Sequence, residues 1–169
     1  MHRPLLSRQP LRLCVAAALA VLLLGCVQQR HITAGMAASD VLHGLGEPTT
    51  RYPAPGGGQR LQYSSEPSGQ TVYNIDVDAQ GRVLRSEQAL REVLFAQRIQ
   101  PNTWTRADVL HEYGQPAYTI GVHNFKGDIW VWRYVDGVTW RLLFIDVDPA
   151  GVVRGWSVGD EPLPDDHGS

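Results

Sequence analysis

The sequence repeats itself, and that repetition limits the folds open to it more than any other feature. Asp40-Val41-Leu42-His43 recurs as Asp108-Val109-Leu110-His111. Each tetrad runs on into Gly-x-Pro, as Gly46-Glu47-Pro48 and Gly114-Gln115-Pro116. Further on, Ile75-Asp76-Val77-Asp78 with Gly81 and Val83 is echoed by Ile145-Asp146-Val147-Asp148 with Gly151 and Val153. The blocks keep their order and the spacing between copies drifts only from 68 to 70 residues. A duplication of this kind makes each half one structural unit.

Each half reads alike. A helix starts near Ala38 to Asp40, and again near Thr105 to Asp108. Thr105 suits an N-cap, with Asp108 three residues on at the positive helix end. Ala37 stands in the Thr105 position, so the first helix needs another cap, for which Ser39 is the candidate. Val41, Leu42 and Leu45 share one apolar face, as do Val109, Leu110 and Tyr113. Gly46 and Gly114 suit a helix C-cap, and Pro48 and Pro116 stop the helix. Three strands follow: Arg60 to Ser64, Thr71 to Asp78 and Arg82 to Glu87. Their echoes are Trp130 to Val135, Thr139 to Asp148 and Val152 to Val158. Leu90, Val93, Leu94 and Ile99 predict another short helix between the copies. The fold expected is α+β: two tandem repeats of short helices followed by a three-stranded antiparallel sheet. The boundaries are 1–25 for a leader, 26–31 for a tether, 32–90 and 91–160 for the repeats, and 161–169 for a disordered, acidic, proline-containing tail.

The N-terminus is the most explicit segment. His2, Arg3, Arg8 and Arg12 precede an apolar run from Leu13 to Leu24. That run fits a signal-peptide core and is too short to cross ~30 Å of hydrocarbon. It ends in Leu23-Leu24-Gly25-Cys26, which resembles the bacterial lipobox. The resemblance implies removal of residues 1–25, lipidation of Cys26 and stable attachment to a membrane through several acyl chains. Val27, not Asp, follows the cysteine, which favours the outer membrane.

Composition excludes several functions. The 15 basic residues face 17 acidic ones. Arg3, Arg8 and Arg12 leave with the leader, so twelve remain against seventeen and the mature net charge is −5. Without a basic cluster the chain is a poor nucleic-acid binder. Cys14 also leaves, so no thiol remains besides Cys26, and disulfides, thiolate metal sites and cysteine nucleophiles are excluded.

Catalytic and metal motifs are lacking. Asp76-x-Asp78-x-Gln80-Gly81, with Glu87 at the twelfth position, imitates a calcium loop. Arg82 and Arg85 fall inside it, however, and its flanks alternate as strands. A hairpin turn capped by the acidic side chains fits better. His43 and His111 each follow an Asp by three residues, but no third ligand or nucleophile is near. They read as exposed helix positions. Gly56-Gly57-Gly58 reads as a loop, not a phosphate cradle. No catalytic residue, metal or cofactor is assigned.

The aromatic residues point to a surface. Trp130, Trp132 and Tyr134 alternate and share a sheet face, with Trp132 aligned to Leu61 and Tyr134 to Tyr63. Trp104 aligns with Met36 as core. Tyr73, Ile75 and Val77 match Leu143, Ile145 and Val147 as the helix-facing side. The opposite face carries Leu142 and Phe144 near Val131, Arg133 and Val135. Either the fold buries this face or it binds protein. In the second case Arg133, Arg141 and Trp156 are its natural anchors.

The order of short helix, Gly-x-Pro and strands ending in Asp-x-x-Gly-x-Val resembles the small outer-membrane lipoproteins of the SmpA/OmlA (BamE-like) family. Thr105-Arg106-Ala107-Asp108-Val109-Leu110 with Gly114-Gln115-Pro116 carries it best. Tandem copies of this fold also occur in secreted beta-lactamase inhibitor proteins. The resemblance runs from about Ile32 to Asp160. It implies a non-enzymatic lipoprotein on the periplasmic face of the outer membrane, working with an envelope protein partner such as the β-barrel assembly machinery. The alternative is an envelope-anchored inhibitor or ligand-binding module that uses the open sheet face. The family's assembly factors carry one copy where this chain carries two.

Overall fold

A computed structural model describes residues 31–162. The leader, Cys26 and residues 163–169 lie outside the described residues. The chain is α+β, and its described residues form two four-stranded antiparallel sheets and three α-helices. Helix α1 (Ala38–Leu45) leads into sheet 1: β1 (Thr50–Pro53), β2 (Gln59–Ser64), β3 (Val72–Val77) and β4 (Val83–Gln88), with a short 3-10 turn at Pro55–Gly57. Helices α2 (Glu92–Arg98) and α3 (Arg106–Tyr113) lead into sheet 2: β5 (Tyr118–Ile120), β6 (Asp128–Asp136), β7 (Thr139–Val147) and β8 (Val153–Asp160). Strand order in each sheet follows the chain.

Three strands per sheet were expected and four are present. The extra strand in each, β1 or β5, has only three or four residues. Pro53 ends β1, a position open to proline on an edge strand. Neither segment is long enough to display alternation.

The two halves begin by the same device. Ala38 N–H donates to the Gly81 carbonyl at 2.8 Å, and Arg106 N–H donates to that of Gly151 at 2.9 Å. A first-turn amide left open by the helix is thus closed by a hairpin turn 43 residues away in the first half and 45 in the second. The turns are capped as expected. Asp78 Oδ1 accepts from the amides of Gln80 and Arg82, and Asp148 Oδ1 accepts from Val152. Thr105 is the N-cap of α3, and its amide and hydroxyl both donate to Asp108 Oδ2 at 2.7 Å. These bonds, the amide first, hold the Asp108 carboxyl below its ordinary range. The first helix differs: Ala37 is its N-cap with no side-chain bond, and Ser39 lies inside the helix, so Ser39 is not the cap.

The register corrects one alignment. Leu61 lies opposite Ile75, but Trp130, not Trp132, lies opposite Ile145. The β6–β7 strands run to nine residues each and carry the pairing two residues further toward the hairpin. A two-residue offset preserves the face, so Trp130, Trp132 and Tyr134 still point to the helices.

The layers run α1, sheet 1, α2 with α3, then sheet 2. Val41 of α1 packs on Leu61, Ile75, Val77 and Val83, with Met36 and Tyr63 at the margin. Tyr73 was expected in this core but is 40% exposed. Its cross-strand neighbour Tyr63 meets the end of α1 instead, its hydroxyl donating to the Gly46 carbonyl at 3.0 Å. Leu45, the last residue of α1, is 49% exposed. The second core is larger: Phe95, Val109, Tyr113, Trp132, Tyr134, Leu143, Ile145 and Val147, with Trp104, Trp130 and Trp156 against it. Phe95 meets Tyr134 edge-on at 5.2 Å and Tyr113 at 5.9 Å. Such pairs add about 0.5–1.5 kcal/mol each beyond area burial. No helix among the described residues is long and apolar enough to cross a membrane.

Gly46 and Gly114 end their helices at φ +78°, ψ −163° and φ +69°, ψ −163°. That region is nearly closed to side chains. A Cβ on Gly46 meets nothing within 4 Å, but one on Gly114 comes within 3.0 Å of Gln62 Oε1. Gly46→Ala is expected to cost about 1–2 kcal/mol for backbone strain, and Gly114→Ala clearly more. Chemical denaturation of the two variants checks the order.

Candidate functional site

Two surfaces carry the chain's polar chemistry. The first is the face of sheet 1 turned toward α3. Tyr52, Arg60, Gln62, Asn74 and Asp76 line it, and the last turn of α3 lies on it. Tyr52 donates its hydroxyl to the Leu110 carbonyl at 3.0 Å. Gln62 Nε2 donates to the carbonyls of Leu110 and His111 at 3.3 and 3.1 Å. Asn74 Nδ2 donates to the Glu112 carbonyl at 2.8 Å. From the other side, Trp132 Nε1 donates to the Tyr113 carbonyl at 3.0 Å. The four carbonyls that a helix end leaves open are all satisfied, by side chains from both sheets.

Charges extend this contact. Arg60 binds Asp76 at 2.7 Å and Glu112 at 3.0 Å. Glu112 also pairs with Arg98 of α2, which reaches Glu87 at 2.5 Å. Arg85 closes the ring onto Asp76 and Glu87. Burial pushes the Asp76 carboxyl upward, but Arg60 and Arg85 outweigh it and hold the carboxyl below its usual value. His111, expected on an exposed helix face, is half-buried here. Its ring meets Tyr52 edge-on at 4.9 Å, with Arg60 Nη1 3.3 Å from Nδ1. Burial first, then Arg60, holds its pKa low. His43 does lie exposed on α1. The network reads as an internal joint, since each charge is matched inside the fold.

The second surface is the face of sheet 2 turned away from α2 and α3. By register it carries Tyr118 and Ile120 of β5, Ile129, Val131, Arg133 and Val135 of β6, Trp140, Leu142, Phe144 and Asp146 of β7, and Gly155, Ser157 and Gly159 of β8. Val131 and Leu142 are buried, Phe144 is half-buried, and Tyr118, Ile120, Val135 and Trp140 are exposed. Of the residues expected on a binding face, Arg133, Leu142 and Phe144 are brought together here. Arg141 and Trp156 are not: they lie opposite Tyr134 and Ile145, on the helix side. Arg141 pairs with Asp160 and Glu92, and Trp156 packs edge-on against Phe95 at 6.2 Å. Trp156 also lines a groove of about 670 Å³ between α2 and the β6–β7 hairpin, with Arg91, Val93, Ala96 and Gly137. Strand parity separates these residues from Leu142 and Phe144.

Arg133 is not a free anchor. Its Nε donates to Glu161 at 2.6 Å, its Nη1 to the Pro67 carbonyl at 2.9 Å, and it lies over the Tyr118 ring. Glu161 N–H donates to the Trp140 carbonyl at 2.9 Å, which sets Glu161 beside the β6–β7 hairpin. Glu66 reaches over from the β2–β3 loop and accepts the Arg133 amide at 2.9 Å. Its second oxygen is buried without a partner, as is that of Glu161. Burial, with Glu161 adding to it, raises the Glu66 carboxyl to about 7. Among the described residues, no group of three His, Cys, Asp or Glu side chains is placed to hold a metal ion.

No protein-family model matches the chain, and no curated protein matches it. Among solved structures, a DUF4309 family protein (YjgB) of Bacillus subtilis is 13% identical with a TM-score of 0.31, over 78% of this chain and 84% of that one. An extracellular protein containing a SCP domain from Bacillus anthracis is 12% identical with a TM-score of 0.29, over 82% of this chain and 54% of that one. Likeness this distant carries no functional argument.

Two outcomes follow from the geometry. Removing Glu112 leaves the buried Arg60 and the partly buried Arg98 without their shared partner. Glu112→Ala is expected to cost about 3–5 kcal/mol, whereas Arg85→Ala, at a half-exposed position, stays within about 1 kcal/mol. Urea midpoints of the pair check this. Glu66 binds its proton more tightly folded than unfolded, so it stabilises the fold below pH 4.5 and loses that contribution as pH rises through about 7. His111, held low, acts in the opposite sense over part of this range. The difference between wild type and Glu66→Gln isolates the carboxyl. Wild type is expected to lose about 1–2 kcal/mol relative to the variant between pH 5 and pH 8.

Proposed function

We propose that this chain is a lipid-anchored, non-enzymatic binding protein of the bacterial cell envelope. Residues 1–25 serve as a lipoprotein signal peptide, and Cys26 carries the acyl chains, palmitate among them. The folded part stands on the periplasmic face of the outer membrane and supports outer-membrane protein assembly or envelope integrity. It is built as two BamE-like units in tandem. The observation that carries this reading is the leader: basic residues, a short apolar run and Leu23-Leu24-Gly25-Cys26. The partly exposed apolar face of sheet 2 supports a binding role, because such faces rimmed by polar groups mark interaction sites. That face also favours a second reading, an envelope-anchored inhibitor or ligand-binding module.

The test is a detergent pull-down of the full-length protein from its own envelope, with Cys26→Ser as control and labelling by a palmitate analogue. Label on the wild type alone, with β-barrel assembly components recovered and then lost in the variant, is the expected result. Equal partitioning of both forms into the soluble fraction would sink the anchor. Label with one unrelated periplasmic enzyme recovered would move the function to the inhibitor reading.

A further inference from the structure

The two sheets share one layout, and this allows their outer faces to be compared rung by rung. A bulge falls between Asp76 and Val77 in β3 and between Asp146 and Val147 in β7. With the bulges matched, Arg60 opposite Asp76 corresponds to Ile129 opposite Asp146. Tyr52 opposite Arg60 corresponds to Ile120 opposite Ile129. On the last strand, Arg85 opposite Asp76 corresponds to Gly155 opposite Asp146.

Almost every polar group that receives α3 on sheet 1 is apolar or small on sheet 2. Tyr52, Arg60, Gln62 and Asn74 become Ile120, Ile129, Val131 and Phe144. Arg85 and Glu87 become Gly155 and Ser157. The one acidic group kept is Asp146. Its counterpart Asp76 is neutralised by both Arg60 and Arg85. Asp146 has neither, and the ion pairs of the second sheet, Arg133–Glu161, Arg141–Asp160 and Arg154–Asp148, pass it by. Its carboxylate lies over Gly155, where a Cβ would stand 3.0 Å away. A mainly apolar face thus carries, at one end, a carboxylate with no ion-pair partner among the described residues.

We propose that this face receives an amphipathic helix of a partner protein, with an apolar stripe over Ile120, Ile129 and Phe144, underlain by the buried Val131, and a Lys or Arg side chain directed to Asp146. This rests on the binding reading above and specifies the chemistry of the partner. Sheet 1 takes a helix on the corresponding face. There it grips the helix end through donors to open carbonyls, and those donors are gone from sheet 2. What remains suits the side of a helix, with apolar burial for affinity and one charge pair for register.

The test is selection from a displayed library of soluble helical peptides against the full-length chain in detergent, with affinities measured for the enriched peptides. Enriched helices should carry apolar residues at i, i+3 or i+4 and i+7 with a flanking Lys or Arg. They should lose at least tenfold in affinity on Asp146→Asn and favour acidic counterparts on Asp146→Arg. Peptides indifferent to both substitutions, extended peptides pairing with an edge strand, or no enrichment would each overturn the proposal. So would concentration-dependent self-association abolished by Asp146→Arg, which would make the occupant a second copy. A pull-down that recovers envelope partners while the library yields no such helix removes the helix alone and leaves the anchored binding protein standing.

Discussion

The C-terminal turn of α3 is the contact on which the rest of this structure depends. A helix end presents open carbonyls, and burying them without donors costs several kcal/mol. Here they are buried between two sheets, and the donors come from both: Tyr52, Gln62 and Asn74 on one side, Trp132 on the other. The second half of the molecule is therefore positioned by hydrogen bonds of fixed direction, which apolar packing alone would not supply. Arg60, Glu112 and Arg98 add charge to the same joint. A joint of this kind tolerates little sliding, because any shift in register orphans several groups at once.

Local chemistry was legible from the residues. The glycine turns, the Asp caps, the Thr105–Asp108 start of α3 and the Gly-x-Pro helix stops all lie within five residues of their partners. Strand alternation likewise placed Trp132 and Tyr134 under the helices. What escaped depends on distance in the chain. His111 reads as a surface helix residue until Tyr52 and Arg60, more than fifty residues away, fold onto it. Three- and four-residue edge strands carry no period of their own. Arg141 and Trp156 were grouped with Leu142 and Phe144 by composition, and strand parity divides them. Trp132 was matched to Leu61 because the aromatic run is conspicuous, but the longer β6–β7 hairpin moves the pairing by two residues.

The two sheets also show how little of a surface is set by its backbone. Matched positions carry arginine, glutamine and asparagine on one sheet and isoleucine, valine and phenylalanine on the other. The first face is committed inside the molecule and the second is left outside it. Fold alone would not distinguish them, which is why function must be argued from the side chains.

The way the chain enters the fold has a mechanical side. Gly35 N–H donates to the Val83 carbonyl at 2.8 Å, and Val83 N–H donates to the Met36 carbonyl at 2.9 Å. These bonds, with the Ala38–Gly81 bond beside them, fasten the first folded residues to the start of β4. Were the protein held at Cys26 as proposed, tension from the N-terminal side would meet Ile32, which packs against the first core, and then this clasp. The clasp joins the hairpin turn and the first turn of α1, so a load applied there would fall on sheet and helix together.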